Sequence, residues 1–429
     1  MHYHLVGILG ASMNGLAEIL KSHGYKVTGS DLNLTCLAEP RRNGHSAKNI
    51  TPEIDKVVIS AAITPQSAGW VEVEAAKKFG IPVVQRSKML QQLMLNKYGI
   101  AVAGAHGKST VTAMVSYILQ AAGAEPTVLV GADLINWNKN FKVGKGKYFV
   151  VEACEWTRQF LTLRPKAAII TNIEAEHLDT YPKGLPEIQK NFKKFVKLLP
   201  KNGILVLNGD DKNSNLLAKC SSCKVKYFTK DKIWPGLKLP ILGQYNLVNA
   251  AAAGRLCHEL GIPTIVIKKA LNEFKGLKRR LEIKGEREGV VVIDDYAHHP
   301  TEIKAALASL KDHFADKKIF CVFQPHQYSR TKLLFDNFTA SFKNADCLIL
   351  TEIWQVPGRD EANEQENKLL TEKLGQAIKQ AGINTQIIYN FSDILQYLKK
   401  NVKKGDIIVT MGATKIYQVG EQFLKGKNG

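Results

Sequence analysis

The sequence has no uncharged apolar run that reaches the ~18 residues needed to cross a bilayer, so a helical membrane protein is excluded. Its start, Met1-His-Tyr-His-Leu-Val-Gly, lacks the basic region and apolar stretch of an export signal and runs directly into a strand-like segment. Cysteine is sparse: seven residues, at 36, 154, 220, 223, 257, 321 and 347, an odd and scattered set that excludes a disulfide framework. Cys220 and Cys223 form one CxxC, but no second pair or nearby histidine completes a zinc site, and the pair reads as incidental. Repeats and low-complexity tracts are absent. Acidic residues are also few, 39 against 59 lysines and arginines, for a net charge of +20. The lysines are spread, with short clusters at Lys190–Lys197 and Lys399–Lys404, and are not interleaved with stacking aromatics. That pattern excludes a nucleic-acid stripe and reads as a solvated surface that attracts small polyanions. A cytoplasmic enzyme is the simplest class.

What is present is ordinary globular material, 45% hydrophobic and 23% charged over 429 residues. At roughly 100–200 residues per domain this suggests two to four domains. Strand, turn and helix alternate from end to end, which predicts α/β architecture with parallel sheets wrapped by helices. Strands are expected at His4–Ile8, Tyr25–Gly29, Lys56–Ser60 and Pro82–Val84, with a helix over Met13–His23. A second series follows: strands Gly99–Ala103, Tyr148–Glu152, Ala167–Asn172 and Gly203–Asn208, and helices Thr110–Ala122, Pro186–Leu199 and Asn246–Leu260. A Gly-containing basic stretch, Lys275–Arg280, marks a hinge. Beyond it strands are expected at Val290–Asp294, Lys318–Phe323, Cys347–Thr351, Thr385–Ile388 and Asp406–Thr410.

Gly104-Ala-His-Gly-Lys-Ser-Thr110 lies between an expected strand and an expected helix, the context of a phosphate loop. Backbone N–H groups at the helix start face an anion, Lys108 neutralises β/γ oxygens, and the Ser109 hydroxyl can hold Mg²⁺. The spacing is short, because Val102 stands where the general motif has its first glycine.

The short loop is followed by Glu152-Ala-Cys-Glu155, Thr171-Asn-Ile-Glu-Ala-Glu-His-Leu-Asp179 and Gly243-Gln-Tyr-Asn-Leu-Val-Asn-Ala250. Then come Phe274-Lys-Gly-Leu-Lys-Arg-Arg280, Asp294-Asp-Tyr-Ala-His-His-Pro-Thr-Glu302 and Phe323-Gln-Pro-His-Gln-Tyr-Ser-Arg-Thr331. In this order the seven motifs resemble those of the Mur ligases, and the last two resemble most the members that add L-alanine to UDP-N-acetylmuramate. The resemblance implies three domains. These are a Rossmann-like UDP-sugar-binding domain (1–98), a central P-loop ATP-binding domain (99–277) and a C-terminal Rossmann-like amino-acid-binding domain (278–429). It further implies a peptidoglycan-precursor ligase in which the lactyl carboxylate attacks the γ-phosphate of ATP and the acyl phosphate is captured by an amine.

Residue by residue, the resemblance places ATP on Gly104, His106, Gly107, Lys108, Ser109 and Thr110, with Asn246 and Asn249 toward adenine and Arg280 reaching the phosphates. It places metal on Ser109, Glu152 and His177, and UDP-sugar on Gly7, Gly10, Gly15, Asp31 and Ser60. The amino acid falls to Tyr296, His298, Gln327 and Arg330, with Lys108, His298 and Arg330 catalytic. Because Lys108 and Arg330 belong to different domains, this implies domain closure. His299, before Pro300, reads as holding the turn. The implied partners are UDP-N-acetylmuramate and a small amino acid, with ATP and Mg²⁺, no nucleic acid and no membrane, in a monomer or homodimer.

The sequence departs from the family in several places. Gly7-Ile-Leu-Gly-Ala-Ser-Met-Asn-Gly15 has Leu9 and Ser12 where glycines are usual, and each would be strained on the order of 1–3 kcal/mol if its φ had to be positive. Cys154 replaces an aspartate and reads as small and inert, Gln327 replaces an arginine, and Gly412-Ala-Thr-Lys-Ile416 replaces Gly-Ala-Gly-Asp. The Leu32–Ile50 and Ser221–Leu242 stretches are short. The glycine region, with Arg280-Leu281-Glu282, leaves open a ligase that attaches a whole murein tripeptide. The charge and the eroded glycines leave open a nucleotide-binding protein without ligase activity. A nicotinamide dehydrogenase is disfavoured, because the first turn has no Gly-x-Gly-x-x-Gly.

Overall fold

A computed structural model describes residues 1–32, 41–231, 234–355 and 362–426. The segment 33–40, which contains Cys36 and part of the short Leu32–Ile50 stretch, lies outside the described residues.

Three sheets are formed. The first has strands β1 (His2–Val6), β2 (Lys26–Asp31), β3 (Arg41–Asn43), β4 (Lys56–Ile59) and β5 (Val83–Gln85), ordered β3-β2-β1-β4-β5 and parallel throughout. The second has β6 (Tyr98–Ala103), β7 (Thr127–Leu134), β8 (Lys139–Lys142), β9 (Tyr148–Glu152), β10 (Ala167–Ile170), β11 (Ile204–Asn208) and β12 (Lys224–Phe228). Its order is β12-β11-β10-β6-β9-β7-β8, parallel except for the β7/β8 hairpin. The third has β13 (Glu282–Arg287), β14 (Val290–Asp295), β15 (Ile319–Phe323), β16 (Cys347–Leu350), β17 (Thr385–Ile387) and β18 (Ile407–Met411), ordered β13-β14-β18-β15-β16-β17 with only β13 antiparallel.

The central strands are continuous apolar runs because helices cover both faces of a parallel sheet. Ile100–Ala103 and Ala167–Ile170 are wholly buried. The alternation expected from sequence is present, with strand ends shifted by one or two residues. The hairpin β7/β8 and the strands β3, β12 and β13 are additional; β13, Glu282-Ile-Lys-Gly-Glu-Arg287, is a charged edge strand with no apolar alternation to betray it.

The chain forms two compact units, Met1–Pro240 with Asn246–Lys275, and Ile241–Tyr245 with Gly276–Gly429. Within the first unit, one apolar core runs from the first sheet (Leu5, Leu16, Leu20) to the second (Leu129, Phe149, Phe160). The second unit packs helices on both faces of its sheet, with Phe323, Phe338 and Phe342 on one side and Ile394, Leu398 and Phe423 on the other. No helix among the described residues is long and apolar enough to cross a membrane.

Candidate active site

In an open parallel sheet, chemistry gathers where strand order reverses, at the carboxyl ends of neighbouring strands. Strand β6 is that point in the second sheet, with β10 on one side and β9 on the other. The loops after these three strands carry Gly104–Lys108, Glu152–Glu155 and Thr171–His177, so parallel topology alone brings three sequence-distant motifs to one edge.

The phosphate loop is built as a turn that only glycine fits. Gly104 has φ +136, and a Cβ there would run into Thr171 Oγ1 and lie 2.9 Å from the Asn172 carbonyl. Gly107, at φ +80, caps the helix Lys108–Ala121, and a Cβ there would meet Asn249 Oδ1 at 2.7 Å. His106 N–H donates to Asn172 Oδ1 (2.9 Å), and its carbonyl accepts from Thr171 Oγ1 (2.6 Å). Gly104→Ala is therefore expected to weaken binding of an ATP analogue at least about tenfold and to cost about 1–3 kcal/mol of stability. Calorimetry and denaturant titration on one preparation check both; unchanged values would contradict the tight turn.

The Lys108 ammonium donates to the carbonyls of Gly104 (2.6 Å) and Ala105 (2.8 Å) and to Glu155 Oε1 (3.2 Å). Burial is the largest single influence and works against its charge, but Glu155, together with Cys154 and Glu152, holds the Lys108 pKa above the usual lysine value. Glu155 is 2% exposed, and its Oε2 has no hydrogen-bond partner. His177 Nε2 stands 3.6 Å from Glu155 Oε1, on a residue with φ +54. Burial lowers the His177 pKa against the pull of Glu155, which keeps the imidazole neutral. A Glu152 carboxylate oxygen accepts from Gly131 N–H, and Ser109 lies in the first turn of the helix Lys108–Ala121. Burial pushes the Cys154 thiol up to about 11, so with no metal cation beside it the sulfur keeps its proton. Asn246 and Asn249 are linked by an amide hydrogen bond (3.0 Å), and Asn249 lies against Gly107.

The structure thus gathers the expected ATP and metal residues of the second sheet around Lys108. It also adds Glu155 at the centre. In the sequence Glu155 stands within the Glu152–Glu155 motif with no role of its own, and its position three residues after the strand-ending Glu152 is the available signal.

In the first sheet, Gly7 turns at φ +77 after β1, and Leu9 N–H donates to Asp31 Oδ2 (2.9 Å) at the end of β2. Gly10 caps the helix Ala11–Ser22, and Ser60 follows β4, so four of the five expected UDP-side residues share one sheet edge. Gly15 is different. It is buried within the helix, where a Cβ would collide with Leu129 and Phe141 of the β7/β8 hairpin, so its smallness serves packing. Neither Leu9 nor Ser12 has a positive φ, and the strain considered for them does not arise.

In the second unit, β14, β18 and β15 are neighbours, and the loops after them carry Asp295–His298, Gly412–Lys415 and Gln324–Arg330. The His298 ring lies 5.3 Å from that of Tyr296 and 5.9 Å from that of His326, and its Nδ1 is 3.0 Å from the Tyr296 carbonyl. Arg330 Nη1 reaches the His326 carbonyl at 3.4 Å. Gln327 is buried at φ +80, its N–H on the Trp354 carbonyl (2.8 Å). Thr414 Oγ1 donates to Gln324 Oε1, tying the 412–416 departure from the family pattern to the loop that follows β15. His299 caps the helix Pro300–His313 in a capping box with Glu302, as expected of a turn-holding residue.

The two hinge arginines have separate fates. Arg279 Nε is 2.9 Å from Asp294 Oδ2, its Nη2 donates to the Gly412 carbonyl (2.6 Å), and its guanidinium lies over Tyr296 and Tyr417. Arg280 lies 3.8 Å from Glu302 and over the Tyr296 ring.

Burial pushes the Asp295 carboxyl up to about 6, against Arg280 and the N–H groups of Ala297 and Leu281. Its folded pKa therefore lies above the ordinary 3.8. Between about pH 4 and 6 the folded unit keeps a proton that the unfolded chain has released, so stability falls as pH rises through that window. The unfolding free energy of wild type minus that of Asp295→Asn should decline across that window and level off above it. A difference that rises or stays flat would count against the buried acid.

Comparison with known proteins agrees with this geometry. Models of the Mur ligase family match residues 2–98 (family catalytic domain), 102–234 (middle domain) and 279–414 (glutamate ligase domain). The UDP-N-acetylmuramate–L-alanine ligase of Clostridium novyi is 40% identical, over 99% of this chain and 97% of that protein. Its counterpart in Clostridium acetobutylicum is 39% identical over 98% and 97%. Among solved structures, the UDP-N-acetylmuramate-alanine ligase of Thermotoga maritima superimposes with a TM-score of 0.82 at 25% identity, covering 99% of this chain and 98% of that one. A murein peptide ligase from Psychrobacter arcticus shares the fold, with a TM-score of 0.72 at 24% identity over 99% and 98%. The chain belongs to the Mur ligase family.

Proposed function

We propose that this protein is an ATP-dependent, ADP-forming ligase that joins L-alanine to UDP-N-acetylmuramate in peptidoglycan precursor synthesis, through domains spanning 1–98, 99–277 and 278–429. The observation that carries the reading is Lys108, held by Glu155 and two loop carbonyls at the switch point of the second sheet, in a chain 40% identical to a UDP-N-acetylmuramate–L-alanine ligase. The lactyl carboxylate attacks the γ-phosphorus, the β–γ bridging bond breaks and ADP leaves. The amine then attacks the acyl carbon and inorganic phosphate departs.

Phosphoryl transfer depends on positioning and charge, and Lys108 supplies charge by exchanging its contacts to Glu155, Gly104 and Ala105 for phosphate oxygens. The loop N–H groups from His106 to Thr110 face the same oxygens, and Asn246 with Asn249 faces the adenine. Ser109, Glu152 and His177 would hold magnesium. That donor set fits, since it offers a hydroxyl, a carboxylate and an imidazole kept neutral by burial, beside the unpartnered Glu155 oxygen. Once bound, the ion supplies charge to the phosphate oxygens. Gly7, Gly10, Asp31 and Ser60 take the UDP-sugar. In the second unit Arg330 pairs with the amino acid's carboxylate, within a pocket wall made by Tyr296 and Gln327. With Nδ1 donating to the Tyr296 carbonyl, His298 has its basic nitrogen at Nε2 to receive the ammonium proton.

The test combines protein, ATP, Mg²⁺ and UDP-N-acetylmuramate with single amino acids, following phosphate release and product mass. L-Alanine should give the fastest release and a product heavier by one alanyl residue. Turnover only with L-Ala-γ-D-Glu-diaminopimelate would replace this reading with tripeptide ligation. No release with either would leave a nucleotide-binding protein.

A further inference from the structure

We propose that Cys154, Glu155 and His177 form a binding site for a thiophilic divalent cation of the Zn²⁺ class beside the phosphate loop. One donor atom from each of the three residues lies within 4.8 Å of the others, near enough for small side-chain adjustments to bring all three onto one ion. An independent observation concerns the same carboxylate: Glu155 is 2% exposed and its Oε2 has no hydrogen-bond partner. A buried carboxylate oxygen left unpaired is costly, and a cation is the ligand that satisfies it. His177 Nε2, at 3.6 Å from Glu155 Oε1, is too far for a good hydrogen bond and is held there by a left-handed backbone at φ +54.

The sulfur sets the chemistry. Magnesium takes hard oxygen ligands, whereas thiolate with imidazole and carboxylate selects zinc or cobalt. Three protein donors leave a fourth tetrahedral position open. Charge is also balanced locally. Two positive charges on the ion and one on Lys108 face the Cys154 thiolate and the Glu155 and Glu152 carboxylates, with the thiol proton passing to solvent on binding. Because the site uses His177 and Glu155, an ion there competes with the proposed magnesium for the imidazole and with Lys108 for the carboxylate. The binding claim itself does not depend on the ligase reading.

The test uses full-length, chelator-treated, nucleotide-free protein titrated with Co²⁺ as a spectroscopic probe. The expected result is a thiolate-to-cobalt charge-transfer band with intense four-coordinate d–d bands, bleached by one equivalent of Zn²⁺ and unaffected by a large excess of Mg²⁺. Cys154→Ser should abolish the charge-transfer band and weaken Zn²⁺ binding by at least about 100-fold. Cys154→Asp, which keeps an anionic donor of similar size, should also lose the band while retaining the wild-type unfolding transition. The Cys220→Ser/Cys223→Ser double variant should keep the band. Absence of the band from wild type, its survival in either Cys154 variant, or its loss in the double variant would overturn the proposal.

Discussion

Replacing Lys108 with alanine should lower kcat by about 10²–10³-fold, the loss of about 2.7–4 kcal/mol that follows removal of one preorganised charge from a transition-state oxyanion. The same substitution should destabilise the first unit. Glu155, 2% exposed, would lose its cation, and breaking a buried pair costs about 3–5 kcal/mol because the remaining charge is stranded. Lys108 keeps some solvent contact, which favours the low end. The two effects separate in a double-mutant cycle. Adding Glu155→Gln to Lys108→Ala removes the stranded charge, so stability should return while turnover stays low. Steady-state phosphate release and denaturant midpoints on the four proteins decide it. A Lys108→Ala enzyme within about tenfold of wild type would end the assignment of Lys108 to the phosphates.

The adjacent arginines at the hinge should behave in opposite ways. Arg279→Ala strands Asp294, which is 1% exposed, removes the donor to the Gly412 carbonyl and strips a guanidinium from two tyrosine faces. Burial raises the Asp294 pKa and Arg279 opposes that rise, so the pair is worth most when both are charged. A loss of about 3–5 kcal/mol is expected, a drop on the order of 10 °C in the midpoint of the second unit's transition. Arg280→Ala removes a long, partly exposed contact to Glu302, a ring contact and a charge that faces Asp295, so stability should fall by less than at Arg279, by about 1 kcal/mol. Its cost should fall on nucleotide binding, read as a raised KM for ATP. Arg279 also sits at φ +61, so Arg279→Gly relieves backbone strain while deleting the side chain. If Arg279→Gly matches wild-type stability, the Asp294 pair is not what holds the hinge.

The two arginines mark where one-dimensional reading stops. Lys278-Arg-Arg280 announces a basic hinge, but nothing in the order of two identical residues says which one the fold has already used. That depends on Asp294, at the end of β14, and Gly412, after β18, whose neighbourhood is a property of strand order. Gly15 teaches the same lesson. In sequence it belongs to a glycine-spaced turn, yet the hairpin β7/β8, more than 110 residues away, needs the space its side chain would occupy.

The sequence by itself determined the α/β class, the positions of most strands along the chain, the phosphate loop and the family. These rest on local signals: apolar runs bounded by turns, a glycine before a lysine at a helix start, and seven motifs in order. Only the tertiary structure decided that Glu155 stands between Lys108 and His177, that Cys154 joins them, and that Leu9 and Ser12 are unstrained. The physical reason is that side chains from β6, β9 and β10 become neighbours through hydrogen-bonded strand pairing. Their distances and pKa values then depend on shared burial and charge, which no single segment contains.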